Sequence, residues 1–135
     1  WPVINRVETG KTAEYPEVQP QYYSADPARV FDEVRASVLE MESWSVLTED
    51  RNQGTLAAVR STRFELFHDD VEIKVEAVTE FATSVNMVSK SRVGKGDLGQ
   101  NARNIEELFT ELNQRLGALR LDPNATDDDE GSATK

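Results

Sequence analysis

The sequence predicts an α+β fold, a two-layer sandwich in which a four-stranded antiparallel sheet carries two helices packed on one face. Two segments with helical apolar spacing, near residues 26–43 and 101–119, enclose the rest of the predicted core. Between them lie apolar segments that alternate with polar residues and are joined by short links. Short links imply hairpins, so we expect an antiparallel meander with both helices on one side.

The chain of 135 residues fits one domain, for which we predict residues 24–121. Residues 1–23 carry three of the five prolines and no sustained period, so they are predicted to form an extended N-terminal arm. Residues 122–135 are rich in Asp, Asn, Thr, Ser and Gly. Such a composition cannot bury enough apolar area to offset the ordering entropy, so we predict a disordered acidic tail.

The first helix begins at Asp26 and Pro27, because Asp caps helices well and proline suits the first helical position. Its buried stripe is formed by Val30, Phe31, Val34, Val38 and Met41. The second helix has the stronger apolar period, with Asn101 as the expected cap and Gly117 as the expected end. Its stripe is formed by Ile105, Leu108, Phe109, Leu112, Leu116 and Leu119.

The four predicted strands lie between these helices. Residues 44–49 and 55–61 form a hairpin, whose second strand is expected to continue to Phe67 with an irregularity. Residues 71–77 alternate most clearly and predict one buried and one wet face. The last strand runs through Val85 and Met87 and ends near Arg92.

Composition excludes several classes of function. A net charge of −10 disfavours a nucleic-acid partner, because phosphate binding needs a basic face. The absence of cysteine excludes disulfides and thiolate metal sites. No apolar run approaches the roughly 18 residues of a membrane span, so we expect no membrane contact by the domain itself. Because the chain begins at Trp1, we expect a processed product or an expressed segment of a longer protein.

The segment from Gly94 to Gly99 has the pattern G-x-G-x-x-G between a strand and a helix. Dinucleotide binding also needs a second parallel strand, which the polar residues after the last helix cannot form, so we expect no cofactor. A helix start near Arg92, Lys95 and Arg103 could instead hold a phosphate, sulfate or carboxylate. Pairing of Asp97 with these bases is the other interpretation, and we favour it.

The segment His68-Asp69-Asp70 could contribute metal ligands, since alternate residues of a strand share a face. Two ligands are too few for a closed site, so we expect a bulge or turn entering the next strand, and no metal. One histidine, no cysteine and no G-x-S-x-G motif leave no predicted catalytic residue.

Three motifs together resemble one known family. They are Tyr15-Pro16-Glu17-Val18-Gln19-Pro20, Phe67-His68-Asp69-Asp70-Val71, and the run from Ser89 to Arg103, which reads SKSRVGKGDLGQNAR. On these motifs the chain is similar, over about residues 14–118, to domain-of-unknown-function family number 1499. The resemblance implies no activity, because that family is uncharacterised. Similar proteins are mostly bacterial or plastid and often carry a signal or membrane segment. The resemblance therefore allows an exported or membrane-anchored full-length protein as well as a cytoplasmic one, and the compartment stays undetermined.

We therefore predict a non-enzymatic binding or interaction domain that recognises a small anion or a protein partner near the segment from Gly94 to Arg103. The candidate patch contains Asp69, Asp70, Ser91, Arg92, Lys95, Asp97, Asn101 and Arg103. The alternative is a metal-dependent hydrolase that uses Asp69, Asp70 and Asp97. A third hypothesis is assembly through an open edge strand, and the sequence leaves the oligomeric state undetermined.

Overall fold

The computed structural model describes residues 6–61, 67–92 and 98–122. Three sequence predictions therefore lie outside the described residues. They are the irregular extension at 62–66, the part of the glycine-rich segment that holds Lys95 and Asp97, and the disordered tail beyond Asp122.

The fold is α+β, with an antiparallel sheet and two helices, as the sequence predicts. In chain order the elements are β1 (Arg6–Glu8), β2 (Gln21–Tyr23), α1 (Pro27–Glu40), β3 (Trp44–Asp50), β4 (Thr55–Ser61), β5 (His68–Thr79), β6 (Ala82–Ser91), α2 (Leu98–Leu116) and β7 (Arg120–Leu121), with a 3₁₀ turn at Gly117–Leu119.

The prediction of a four-stranded sheet is wrong, because the described sheet has seven strands. The order is β3-β4-β5-β6-β2-β7, and β1 pairs with the same edge of β6 as β2. Val7 of β1 lies opposite Ser89, and Tyr22 of β2 lies opposite Ser84. Part of the segment predicted as an N-terminal arm thus completes the sheet. These strands of two or three residues form through backbone pairing and are too short to show a period of two.

The core lies between one face of the sheet and both helices. Val71, Ile73 and Val75 of β5 point to this inner face, while Glu72, between the first two, and Glu76, after the third, are exposed. Each helix contacts the strands and the other helix. The buried apolar residues from the helices are Val30, Phe31, Val34, Val38, Ala102, Ile105, Leu108, Phe109, Leu112 and Leu116. In the described part of the chain, no helix combines the length and apolar character that crossing a membrane requires.

Three local predictions can be compared with the backbone. The α-helix ends at Leu116 and Gly117 opens a 3₁₀ turn, as predicted. Asn101 is not a cap, because α2 begins at Leu98 and Asn101 is buried within the helix. The expected bulge at His68-Asp69-Asp70 is absent, since all three residues pair in regular register with β4.

Candidate functional site

The described residues of the predicted functional patch lie at the ends of β5 and β6 and in the first turns of α2. Asp69 of β5 has Arg60 of β4 as its partner on one side and Ser91 of β6 on the other. Asp69 lies on the same side of β5 as the buried Val71, so this row continues the core-facing surface to the end of the sheet.

Five side chains on the core side form a hydrogen-bonded set that we call the inner network. Asn104 Nδ2 donates to Asp69 Oδ2 at 2.8 Å and to Ser89 Oγ at 3.1 Å. Ser89 Oγ donates to Asn101 Oδ1 at 2.7 Å, and Asn101 Nδ2 donates to Ser91 Oγ at 3.1 Å. Asp69, Ser89, Asn101 and Asn104 are buried, so each bond replaces water that the side chain has lost. The inner network fastens α2 to the ends of β5 and β6.

Asp70 and Arg92 form a separate pair on the opposite face of the sheet. Arg92 donates from Nε to Asp70 Oδ2 and from Nη2 to Asp70 Oδ1, each at 3.0 Å. The bidentate hydrogen bonds with Asp70 raise the pKa of Arg92 above its ordinary value. The backbone N–H of Arg92 also donates to the carbonyl of His68 at 3.1 Å, which holds the end of β6 against β5.

The structure therefore divides the predicted patch. Asp69, Ser91 and Asn101 lie in the inner network, whereas Asp70 and Arg92 lie on the outer face, because successive residues of a strand project to opposite sides. Arg103, on α2, donates from Nη2 to Gln100 Oε1 at 3.2 Å and stays exposed. Lys95 and Asp97 are outside the described residues.

Two members of the inner network, Ser89 and Asn104, were not among the predicted site residues. A signal for both exists in the sequence. Ser89 continues the inward alternation of Val85 and Met87, and Asn104 lies beside Ile105 on the buried side of α2. A polar residue at a position where the period calls for an apolar one indicates a buried hydrogen-bonded group.

A second cluster lies on the core side next to the inner network. Trp44 Nε1 donates to Glu107 Oε1 at 2.8 Å, and Arg60 Nε lies 3.7 Å from Glu107 Oε2. Within the described ranges this buried Nε has no hydrogen-bond acceptor. Glu107 keeps a side-chain exposure of 42% and at the same time joins α2 to β3 and β4.

The geometry gives no support to the metal-dependent hydrolase. Asp69 and Asp70 project from opposite sides of β5, so the two carboxylates do not converge. Residues 6–61, 67–92 and 98–122 hold no group of three His, Cys, Asp or Glu placed to bind a metal ion. His68 Nδ1 lies 3.0 Å from Ser61 Oγ, a contact that joins β5 to β4.

Fold and site together define a small α+β domain with a polar network at one end of its sheet. The chain belongs to the family described as "Protein of unknown function (DUF1499)", whose sequence model matches residues 3–112. This match confirms the resemblance predicted from the motifs. No curated protein matches the chain.

The solved structures with a similar fold include the di-domain ARO/CYC StfQ from the steffimycin biosynthetic pathway. The TM-score is 0.55 at 11% sequence identity, and the match covers 72% of this chain. It covers 43% of that chain, so this protein spans less than half of StfQ. At such low identity the likeness shows the fold alone.

Proposed function

We propose that this chain is a non-enzymatic binding domain whose segment from Gly94 to Arg103 recognises a small anion, either free or displayed by a protein partner. The observation that carries the proposal is the inner network. It joins Ser89 and Ser91, at the end of β6, to Asn101 and Asn104, in the first turns of α2. The described residues before position 93 and after position 97 are thereby joined to each other. A segment held at both ends loses less conformational freedom when it binds a ligand.

Charge at this position supports an anionic ligand. Arg92 lies two residues before the segment, Lys95 lies within it, and Arg103 is its last residue. Asp70 engages Nε and Nη2 of Arg92, and among the described residues Nη1 has no acceptor. The pair is exposed, so it stabilises little by itself, but it orients the guanidinium fork. An anion could therefore bind Nη1 without displacing Asp70.

A catalytic role has less support. The two described aspartates of the predicted patch already accept hydrogen bonds, Asp69 from Asn104 and Asp70 from Arg92. General acid–base chemistry needs a carboxyl group within reach of a substrate proton. Asp69 is buried and points toward the core, and this position is unsuited to that task.

A thermal-shift experiment with inorganic phosphate and with acetate tests the proposal. Ligand at a hundredfold excess over Kd stabilises a protein by about 2.7 kcal/mol, enough to raise the melting temperature by several degrees. We expect this rise in the wild type and its loss in Arg92→Ala.

Arg35→Ala is the matched control, because Nε of Arg35 also contacts both carboxylate oxygens of a partner, Glu49, at the other edge of the sheet. The control should keep the full shift. An Arg92→Ala variant that keeps it too, or a wild type that neither anion stabilises, would contradict the proposal.

A further inference from the structure

The outer face of the sheet, opposite the helices, carries a depression of about 560 Å³. Its volume lies in the range of about 300–1,000 Å³ that is usual for small-molecule sites. The short side chains Ala57 and Val88 line its floor, and Lys11 and Thr48 stand at its margins. The depression shares no lining residue with the Gly94–Arg103 segment and does not depend on the function proposed for that segment.

Strand register explains why the face is hollow here. In one row Glu72 of β5 is flanked by Ala57 of β4 and Val88 of β6. In the next row Lys74 of β5 is flanked by Thr55 and Asn86. Cross-strand neighbours on one face stand side by side, so short residues on both sides leave space around the two long, charged ones.

The first row is a row of acceptors. Val88 pairs with Glu8 of β1, so Glu72 and Glu8 occur in the same row. Each carboxylate has a lysine partner at 3.5 Å, Lys90 for Glu72 and Lys11 for Glu8. Glu8 has a second, nearer partner, because Arg6 Nη2 lies 3.0 Å from its Oε1. Such exposed pairs contribute at most about 1 kcal/mol and can exchange partners. Both carboxylates therefore remain able to accept hydrogen bonds from a ligand ammonium.

The second row is a row of donors. Lys74 Nζ donates to the backbone carbonyl of Gln53 and, within the described residues, has no carboxylate partner. Beside it, Asn86 Oδ1 accepts from Thr9 Oγ1 at 2.9 Å, which directs the amide. The Asn86 Nδ2 group donates to no other described residue. An ammonium and an amide N–H₂ thus stand together, ready for a carboxylate.

We propose that this depression binds a small zwitterion, such as a free amino acid. The ligand carboxylate binds Lys74 and Asn86, and its ammonium binds Glu72 and Glu8. The two rows are two residues apart along β5, which is about 6.5–7 Å. The carboxylate row would repel a simple anion, and Lys74 would repel a simple cation. Only a ligand with both charges satisfies both rows.

Titration of ¹⁵N-labelled protein with glycine, acetate and methylammonium tests the proposal. The Asn86 side-chain amide and the Ala57 and Val88 backbone amides report on the depression. We expect saturable shifts with glycine and binding of either half-ligand about tenfold weaker, the factor that about 1.4 kcal/mol produces.

Charge-removing variants assign the two rows. Lys74→Met should weaken glycine about tenfold and spare methylammonium, whereas Glu72→Gln should weaken glycine and spare acetate. Glu76→Gln, on the same strand but outside the depression, should change nothing. The proposal fails if glycine shifts are linear with concentration, if all three probes bind equally, or if Lys74→Met and Glu72→Gln leave glycine binding unchanged.

Discussion

Replacing Asn104 by alanine tests whether the inner network holds the helix entry onto the sheet. The substitution removes the Asn104 hydrogen bonds to Asp69, at 2.8 Å, and to Ser89, at 3.1 Å. A bond to a charged group contributes about 1.5–3 kcal/mol and a neutral one about 0.5–1.5 kcal/mol. Since the Asp69 carboxylate stays buried without that donor, we expect the free energy of unfolding to fall by about 2–4 kcal/mol.

Urea unfolding followed by circular dichroism measures this loss. The m-value should be unchanged if the wild type and Asn104→Ala both unfold in a two-state transition. A double-mutant cycle with Asp69→Ala should give a coupling energy of about 1.5–3 kcal/mol, because either single change removes the same bond. Gln100→Ala is the control, since its bond to Asn104 lies at the rim and should cost under about 1 kcal/mol. A loss below about 1 kcal/mol in Asn104→Ala, with additive single mutants, would refute this account of the network.

Two further predictions concern the rest of the fold. Gly54 has φ +72°, and a Cβ there would lie 2.2 Å from the carbonyl oxygen of Val75. Gly54→Ala should therefore lower the free energy of unfolding, measured in urea, by about 2–3 kcal/mol. An unchanged urea midpoint would contradict this. Burial raises the pKa of Tyr23 far above 10.0, so stabilisation by its neutral phenol is complete below about pH 10 and is lost as pH rises through the folded-state pKa. Absorbance titration should show a late ionisation step that coincides with unfolding and disappears in Tyr23→Phe; a late step that persists in the variant would exclude Tyr23 as its source.

The sequence predicted the central elements of the fold because their periods are long. β5 alternates over many residues, and α2 has an apolar stripe that ends at Leu116. The short strands β1, β2 and β7, on the far side of β6 from β5, have three, three and two residues. Their formation depends on unpaired backbone groups at the edge of β6 and on the edge of β2, and no local pattern encodes that partner.

For the site, the sequence identified the right region, but it did not show which of the predicted residues lie on which face of the sheet. Asp69, Ser91 and Asn101 do meet, and Asp70 meets Arg92, yet the two sets lie on opposite faces of the sheet. Assigning the faces needed the register of β5, which the expected bulge at His68-Asp69-Asp70 obscured. That register also places Asp69 on the core side.

The Arg92 side-chain Nε–H resonance, followed by NMR during titration with inorganic phosphate, tests the central claim most directly. If the Gly94–Arg103 segment recognises an anion, this resonance shifts and saturates, while that of Arg35, which is similarly paired with Glu49, stays in place. Parallel, unsaturated shifts at both arginines, or no shift at Arg92, would contradict the claim.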